Sequence, residues 1–320
     1  MRTKPWYDSY EILRSEVESL REEFRQICKR IGQNETVVLI GAARDIIARI
    51  VFESNWQEGI HVDRGRTKEL ADVVFEDFGE LGEPRLDFAS VLNQHRKQVL
   101  ALKRKHITEN ELSAYNLAAA HHALWWISAD LIERESACLA AALKKFETGY
   151  DQIKDQIPAD SRQSIERGFQ LIRKKPEVSG PPLAPMAGRL VTQGDVFQRY
   201  LSLDFEELLH PLREDYLHFL HRLLLMGILP PVKIGVFRKH GVHVSNPDLF
   251  FPPAQAVPAL MSEYCRNFPF LHRPGEDDIL SAATHSYSFV RIHPYSDGNG
   301  RVSRLLMNLI YLRRISTRVS

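Results

Sequence analysis

Cysteine is scarce in this chain. Cys28, Cys138 and Cys265 are three in 320 residues, spaced too widely for a zinc site and too few for a disulfide framework. They suit a reducing compartment, so a cytoplasmic location is the expectation. Net charge is nearly absent: 42 Lys and Arg against 41 Asp and Glu leave +1. No global field exists to gather nucleic acid or an acidic membrane, and neither is expected as a partner. The short basic run Lys103-Arg104-Lys105 reads as a solvated helix face. Long apolar runs are missing too. The stretch around Leu117 to Ile127 contains His121 and His122 and is too short to span a bilayer. The first residues are charged and lack an apolar leader core, so no signal peptide is expected. The adjacent histidines have no partner at ligand spacing and read as solvated or capping groups.

What remains is a chain patterned for helices. Leu13, Val17, Leu20, Phe24, Ile27 and Ile31 step by four and three, an amphipathic stripe ended by Gly32. Residues 36–52 are ambiguous: Val37 to Ile40 reads as strand and Arg44 to Phe52 as helix. Residues 86–156 read as two or three helices, with Trp125 and Trp126 in a core or interface. Lys174 to Gly194 holds four prolines and three glycines without periodicity and reads as a linker. The expected division is an N-terminal helical segment, 1–60, an extra helical region, 61–173, the linker, 174–194, and a core, 195–320. The only strands expected are Lys233–Arg238 and Gly241–Ser245, a hairpin whose free edge could pair with an extended target.

The most informative residues are His293-Pro294-Tyr295-Ser296-Asp297-Gly298-Asn299-Gly300-Arg301-Val302-Ser303-Arg304. Before them, Ile279, Leu280, Ala283, Tyr287 and Val290 share a helical face. Pro294 disfavours a helical His293. After them, Val302, Leu305, Leu306, Leu309 and Ile310 form a second helical stripe. The run is therefore a tight turn between two helices. Gly298 and Gly300 allow backbone to approach a ligand closely. The second helix presents free N–H groups and the positive end of its dipole to an anion. Arg301 and Arg304, three apart, can fork onto phosphate oxygens. Asp297 offers hard oxygen to Mg²⁺, and His293 titrates near neutrality. Taken singly, each piece is ordinary: a helix-end histidine, a surface turn, a solvated Arg-x-x-Arg. Their concurrence in one ordered run points to a nucleotide site.

The run resembles the signature of the Fic family, H-x-F-x-[DE]-G-N-G-R-x-x-R, with Tyr295 in place of Phe. Gly235 to Arg238, Val242 to Val244 and Phe251 to Pro253 resemble that family's flap hairpin and the Pro-rich stretch behind it. Tyr216 to Leu224 resembles its first core helix. The likeness covers about residues 195 to 314. It implies a mostly helical fold with a short β-hairpin flap, and transfer of AMP from ATP to a Ser, Thr or Tyr hydroxyl of a target protein. By that resemblance His293 deprotonates the hydroxyl. Asp297 holds Mg²⁺ on the leaving diphosphate. Asn299 and the amides around Gly298 and Gly300 hold the α-phosphate, and Arg301 and Arg304 bind the β- and γ-phosphates. Gly235, Phe237, Arg238, Val242 and Val244 form the target-binding flap. Gly300 argues against the family's kinase variant, which carries Lys there.

Many relatives of this kind carry an inhibitory helix with the pattern [ST]-x-x-x-E-[GN]. Ser54-Asn55-Trp56-Gln57-Glu58-Gly59 fits it, and the resemblance implies a brake in which Glu58 pairs with Arg304. Taken alone, Glu58-Gly59 is also an ordinary helix end with a Gly cap. Removal of AMP by the same site, a non-catalytic nucleotide-binding adaptor, and transfer of another phosphate-linked group remain as rival readings. A second copy of the chain is a candidate partner.

Overall fold

The computed structural model describes residues 22–33, 35–79, 87–156, 212–242, 250–268 and 278–318, with a few isolated positions besides, and the side chains of 132–149 only in part. The linker 174–194, most of the stripe before residue 22, and Val244 lie outside the described residues.

Among the described residues the architecture is carried by α1 Glu35–Gln57, α2 Arg64–Phe78, α3 Phe88–Arg104, α4 Glu109–Ile153, α5 Glu214–Leu225, α6 Val257–Arg266, α7 Asp278–Ile292 and α8 Asn299–Arg318. The fold is mostly helical, as the periodicity implies. The ambiguous residues 36–52 are helix throughout α1, because tertiary packing of Ala43, Ile47, Ala48 and Val51 outweighs the β-branched run. The region 86–156 resolves into α3 and a single 45-residue α4. That helix starts with a capping box: Thr108 accepts from the Glu111 amide, and Glu111 returns a bond to the Thr108 amide. Arg66 of α2 then holds Glu111 at 2.7 Å, tying two helix starts together.

One buried apolar cluster runs through all of these helices. It joins Val51, Leu70, Val91, Leu117, Leu124, Leu217, Leu224, Met261, Phe289, Leu305 and Leu309. The buried core thus crosses the boundary placed at residue 61. Polar groups join the region 61–173 to the core 195–320 as well. Leu223, Leu224 and Met226 lie at the C-terminus of α5, where helix carbonyls lose their intrahelical partners. His95 Nε2 of α3 meets the Leu223 carbonyl at 3.1 Å. Asn116 of α4 donates to the carbonyls of Leu224 and Met226 at 3.2 and 3.0 Å. Side chains of the extra region therefore cap a helix of the core.

The expected hairpin is not formed by Lys233–Arg238. Residues 231–233 are a 3-10 turn, and 234–236 bend instead of extending. Among the described residues there is no strand, only a single bridge between Met226 and Leu229. The reason is that this segment spends its polar groups inward. The Gly235 amide donates to His221, and the Arg238 amide donates to the Pro294 carbonyl, leaving no ladder to build. Gly235 has φ +64°, which also breaks an extended run.

His121 and His122, expected as solvated or capping groups, are buried. His121 Nδ1 donates to the Leu117 carbonyl at 2.9 Å, and His122 Nε2 meets the Gly79 carbonyl at 2.8 Å. Both follow from a helix that is apolar on most sides, where an imidazole survives by bonding backbone. Cys28 and Cys265 are buried and free. Among the described residues no group of three metal-ligating side chains exists, and no helix is long and apolar enough to cross a membrane.

Burial sets a pH limit on this core. Desolvation pushes His95, His121 and His221 down to about 4. Their unfolded forms titrate near 6.5 and take up protons first as pH falls, so stability is full at neutral pH and is lost between about 6.5 and 4. Each contributes at most about 1.4 kcal/mol per pH unit in that window. The expected result is a thermal midpoint at pH 5 on the order of 10 °C below that at pH 7.5, read by circular dichroism. An unchanged midpoint would show that these imidazoles are not held neutral.

Candidate functional site

The loop between α7 and α8 is braced from within. His293 closes α7 with a bond from its amide to the Phe289 carbonyl at 3.0 Å, and adopts φ +52°. Pro294 disfavours a right-handed His293, so the helix stops there with a left-handed residue. Tyr295 is fully buried. Its ring stacks on His221 at 3.8 Å, and its hydroxyl meets His218 Nδ1 at 3.1 Å. Asn299 accepts from the Tyr295 amide at 2.9 Å and donates to the Tyr295 carbonyl at 2.8 Å. These two bonds brace the loop, and Nδ2 keeps a second N–H beyond the one given to Tyr295. Gly298 has φ +76°, and a Cβ there would lie 3.1 Å from Leu225. Any other residue would be strained in backbone and crowded in space.

His221 ties this loop to α5 and to the segment after it. A carbonyl can only accept, so the 3.1 Å contact of Nε2 with the Asp297 carbonyl makes Nε2 the protonated nitrogen. Nδ1 accepts from the Gly235 amide at 2.7 Å. Sequence reasoning gave His221 no role; its only signal is a histidine on the buried face of an amphipathic helix.

The flap residues face the core more than solvent. The buried Arg238 guanidinium donates to the carbonyls of His293, His240 and Pro252 at 2.7, 3.0 and 2.6 Å. Phe237 packs at 4.6 Å from His218 and 5.8 Å from Tyr295. Val242 is partly exposed.

His293 is half-buried, its ring 4.4 Å from that of Phe251. Nδ1 lies 3.3 Å from the Val290 carbonyl, which assigns the proton to Nδ1 and leaves the Nε2 lone pair open. Desolvation, with the Arg238 charge, holds its pKa below the ordinary value. It is a neutral base at neutral pH.

Asp297 keeps 54% of its side chain exposed. One oxygen accepts from the Gly298 amide at 2.6 Å, and the other lies 3.8 Å from Arg301. A lone exposed carboxylate fits Mg²⁺, which takes one or two carboxylates and completes its shell with phosphate and water.

The two arginines diverge. Arg301 turns into the interior, only 5% exposed, and burial lowers its pKa. Arg304 reaches α1. It donates through Nε to Ser54 Oγ at 2.7 Å and through Nη2 to Glu58 at 2.5 Å and to the Ser54 carbonyl at 3.3 Å. Glu58 follows the end of α1, where Gly59, at φ +72°, turns the chain back. The Ile60 amide then bonds the Asn55 carbonyl at 2.9 Å. Gly300 makes room for the pair, since a Cβ there would stand 2.5 Å from the Glu58 carboxylate. Residues 246 apart in sequence thus meet. Beside them a cleft of about 390 Å³ opens between α1 and α8, lined by Ser54, Arg304 and Met307 among others. The two helices are not fully packed there.

The Fic/DOC family model matches residues 211–311. A 120-residue stretch is 33% identical to the protein adenylyltransferase Fic of Drosophila ananassae, covering 37% of this chain and 23% of that protein. The Drosophila melanogaster protein of the same name matches at 33% with the same coverage. The matched region spans about a quarter of the length of these curated relatives. Among solved structures, a Fic domain containing signaling protein from Bacteroides thetaiotaomicron aligns with 92% of this chain and 72% of its own. The TM-score is 0.46 and the identity 17%.

Proposed function

We propose, from the premise that residues 211–311 are a Fic/DOC family domain, that the chain is a protein adenylyltransferase held in check by its own Glu58. The acceptor is a Ser, Thr or Tyr hydroxyl on a target protein, and the donor is ATP. His293 Nε2 takes the hydroxyl proton as the oxygen attacks the α-phosphorus. The bond from that phosphorus to the bridging oxygen breaks, and diphosphate leaves. Mg²⁺, when bound, neutralises charge on the leaving diphosphate, with Asp297 as its protein ligand. The N-terminus of α8 faces the α-phosphate. Backbone N–H groups there, with the second N–H of Asn299, serve as donors. Arg301 and Arg304 hold the β- and γ-phosphates. Positioning and charge neutralisation carry such a transfer.

The observation that carries the reading is the 2.5 Å contact between Glu58 and Arg304. It links the second arginine of the signature to an upstream helix whose pattern suits a brake. The test is incubation of wild type, Glu58→Gly and His293→Asn with Mg²⁺ and α-labelled ATP. Label on Glu58→Gly, weak on wild type and absent from His293→Asn, supports transferase and brake together. No label on any of the three, with nucleotide still bound, favours an adaptor or a different donor. The same contact supports a second reading. A carboxylate inside the site could position water to remove AMP from a modified target, and then Glu58→Gly would abolish that release.

A further inference from the structure

We infer that Ser113, on α4 and far from the signature in sequence, is a positioning residue that aims the Arg301 guanidinium at the diphosphate portion of the nucleotide; this rests on the nucleotide reading above. Arg301 Nη1 donates to Ser113 Oγ at 3.0 Å across 188 residues of chain. Both residues are buried. A guanidinium has five N–H groups in a fixed plane. Nη2 lies 3.8 Å from the Asp297 carboxylate, beyond hydrogen-bond reach. Nε is buried with no protein partner. A cation taken out of water with donors unspent is a group arranged for an anion that arrives later.

Ser113 is well built to aim it. It lies in the second turn of a helix whose start is fixed by the Thr108–Glu111 capping box and by Arg66. Its neighbours Leu112 and Ala114 are buried in the core. Further along, α4 grips α8 again. Asn308 Nδ2 donates to His121 Nε2 at 3.1 Å, an acceptor because Nδ1 gives its proton to Leu117. Two contacts fix the register of α8 on α4, so the Arg301 fork cannot drift. The hydroxyl is also neutral. It orients the cation without cancelling its charge, whereas a carboxylate at 113 would compete with phosphate.

The experiment is calorimetric titration of ADP and of AMP, with Mg²⁺, into the full chain as wild type, Ser113→Ala and Ser113→Thr. ADP carries the β-phosphate but no γ-phosphate, so its binding does not depend on displacing Glu58 from Arg304. Ser113→Ala should weaken ADP about tenfold, the scale of one hydrogen bond to a charged group, and AMP less than about twofold. Ser113→Thr, which keeps the hydroxyl, should recover most of the loss. A merely structural role predicts equal losses for ADP and AMP, and that result overturns the inference. Equal ADP affinity in wild type and Ser113→Ala overturns it as well, while leaving the nucleotide reading intact. Wild type that binds neither nucleotide overturns both.

Discussion

Glu58→Gly should raise self- or target labelling from α-labelled ATP by about 10- to 100-fold, the factor for a charged hydrogen bond of roughly 1.4–3 kcal/mol. The Glu58 and Arg304 side chains are 32% and 21% exposed, so solvent screens the pair only in part. Removing the carboxylate frees one N–H of Arg304 Nη2, which in the proposed reading turns to a γ-phosphate, while the bond to the Ser54 carbonyl stays. The substitution costs the fold little, because Glu58 lies just beyond α1, next to a glycine that already turns the chain. Glu58→Gln should fall between wild type and Glu58→Gly, since it keeps the contact but not the charge. Ser54→Ala should release the brake partially, because Arg304 keeps Glu58 after losing Ser54 Oγ. Labelling of Glu58→Gly no faster than wild type would make the contact structural and nothing more.

His293→Asn should reduce labelling on the Glu58→Gly background by about 10²- to 10⁴-fold, the range for loss of a general base. Asn is the informative replacement. The residue sits at φ +52°, where Asn is tolerated and Ala is strained, so a lost activity is not confused with a lost loop. The thermal midpoint of the variant should stay near that of the parent. The pH profile of kcat/KM supplies an independent check. The His293 pKa is lowered by burial, so the neutral base prevails at pH 7 and activity falls as pH drops below the ordinary imidazole value. Retention of labelling by His293→Asn would move the base to another group.

Much of the site was legible because it is local. Pro294 ends one helix, Asn299 starts the next, and the glycines, the carboxylate and both arginines fall within twelve residues. The hairpin was misread for the opposite reason. Residues 233–238 were expected to extend as a strand, yet their polar groups are claimed by His221 of α5 and by carbonyls of the α7–α8 loop, which no local pattern reveals. The family resemblance implies Asn299 on phosphate; its added bonds to the Tyr295 backbone appear only once the loop is closed.

By itself the sequence determined the helical class, the two helices of the signature, the turn between them and the chemical types gathered there, since periodicity, Pro and Gly act over a few residues. It also supplied the Ser-x-x-x-Glu-Gly pattern upstream. Only the tertiary structure decided that Glu58 meets Arg304, that Ser113 meets Arg301, and that His95 and Asn116 cap α5. Those partners lie 108 to 246 residues apart. Burial of one continuous apolar cluster brings them together, and the buried polar groups then pair because leaving them unpaired in that interior costs too much.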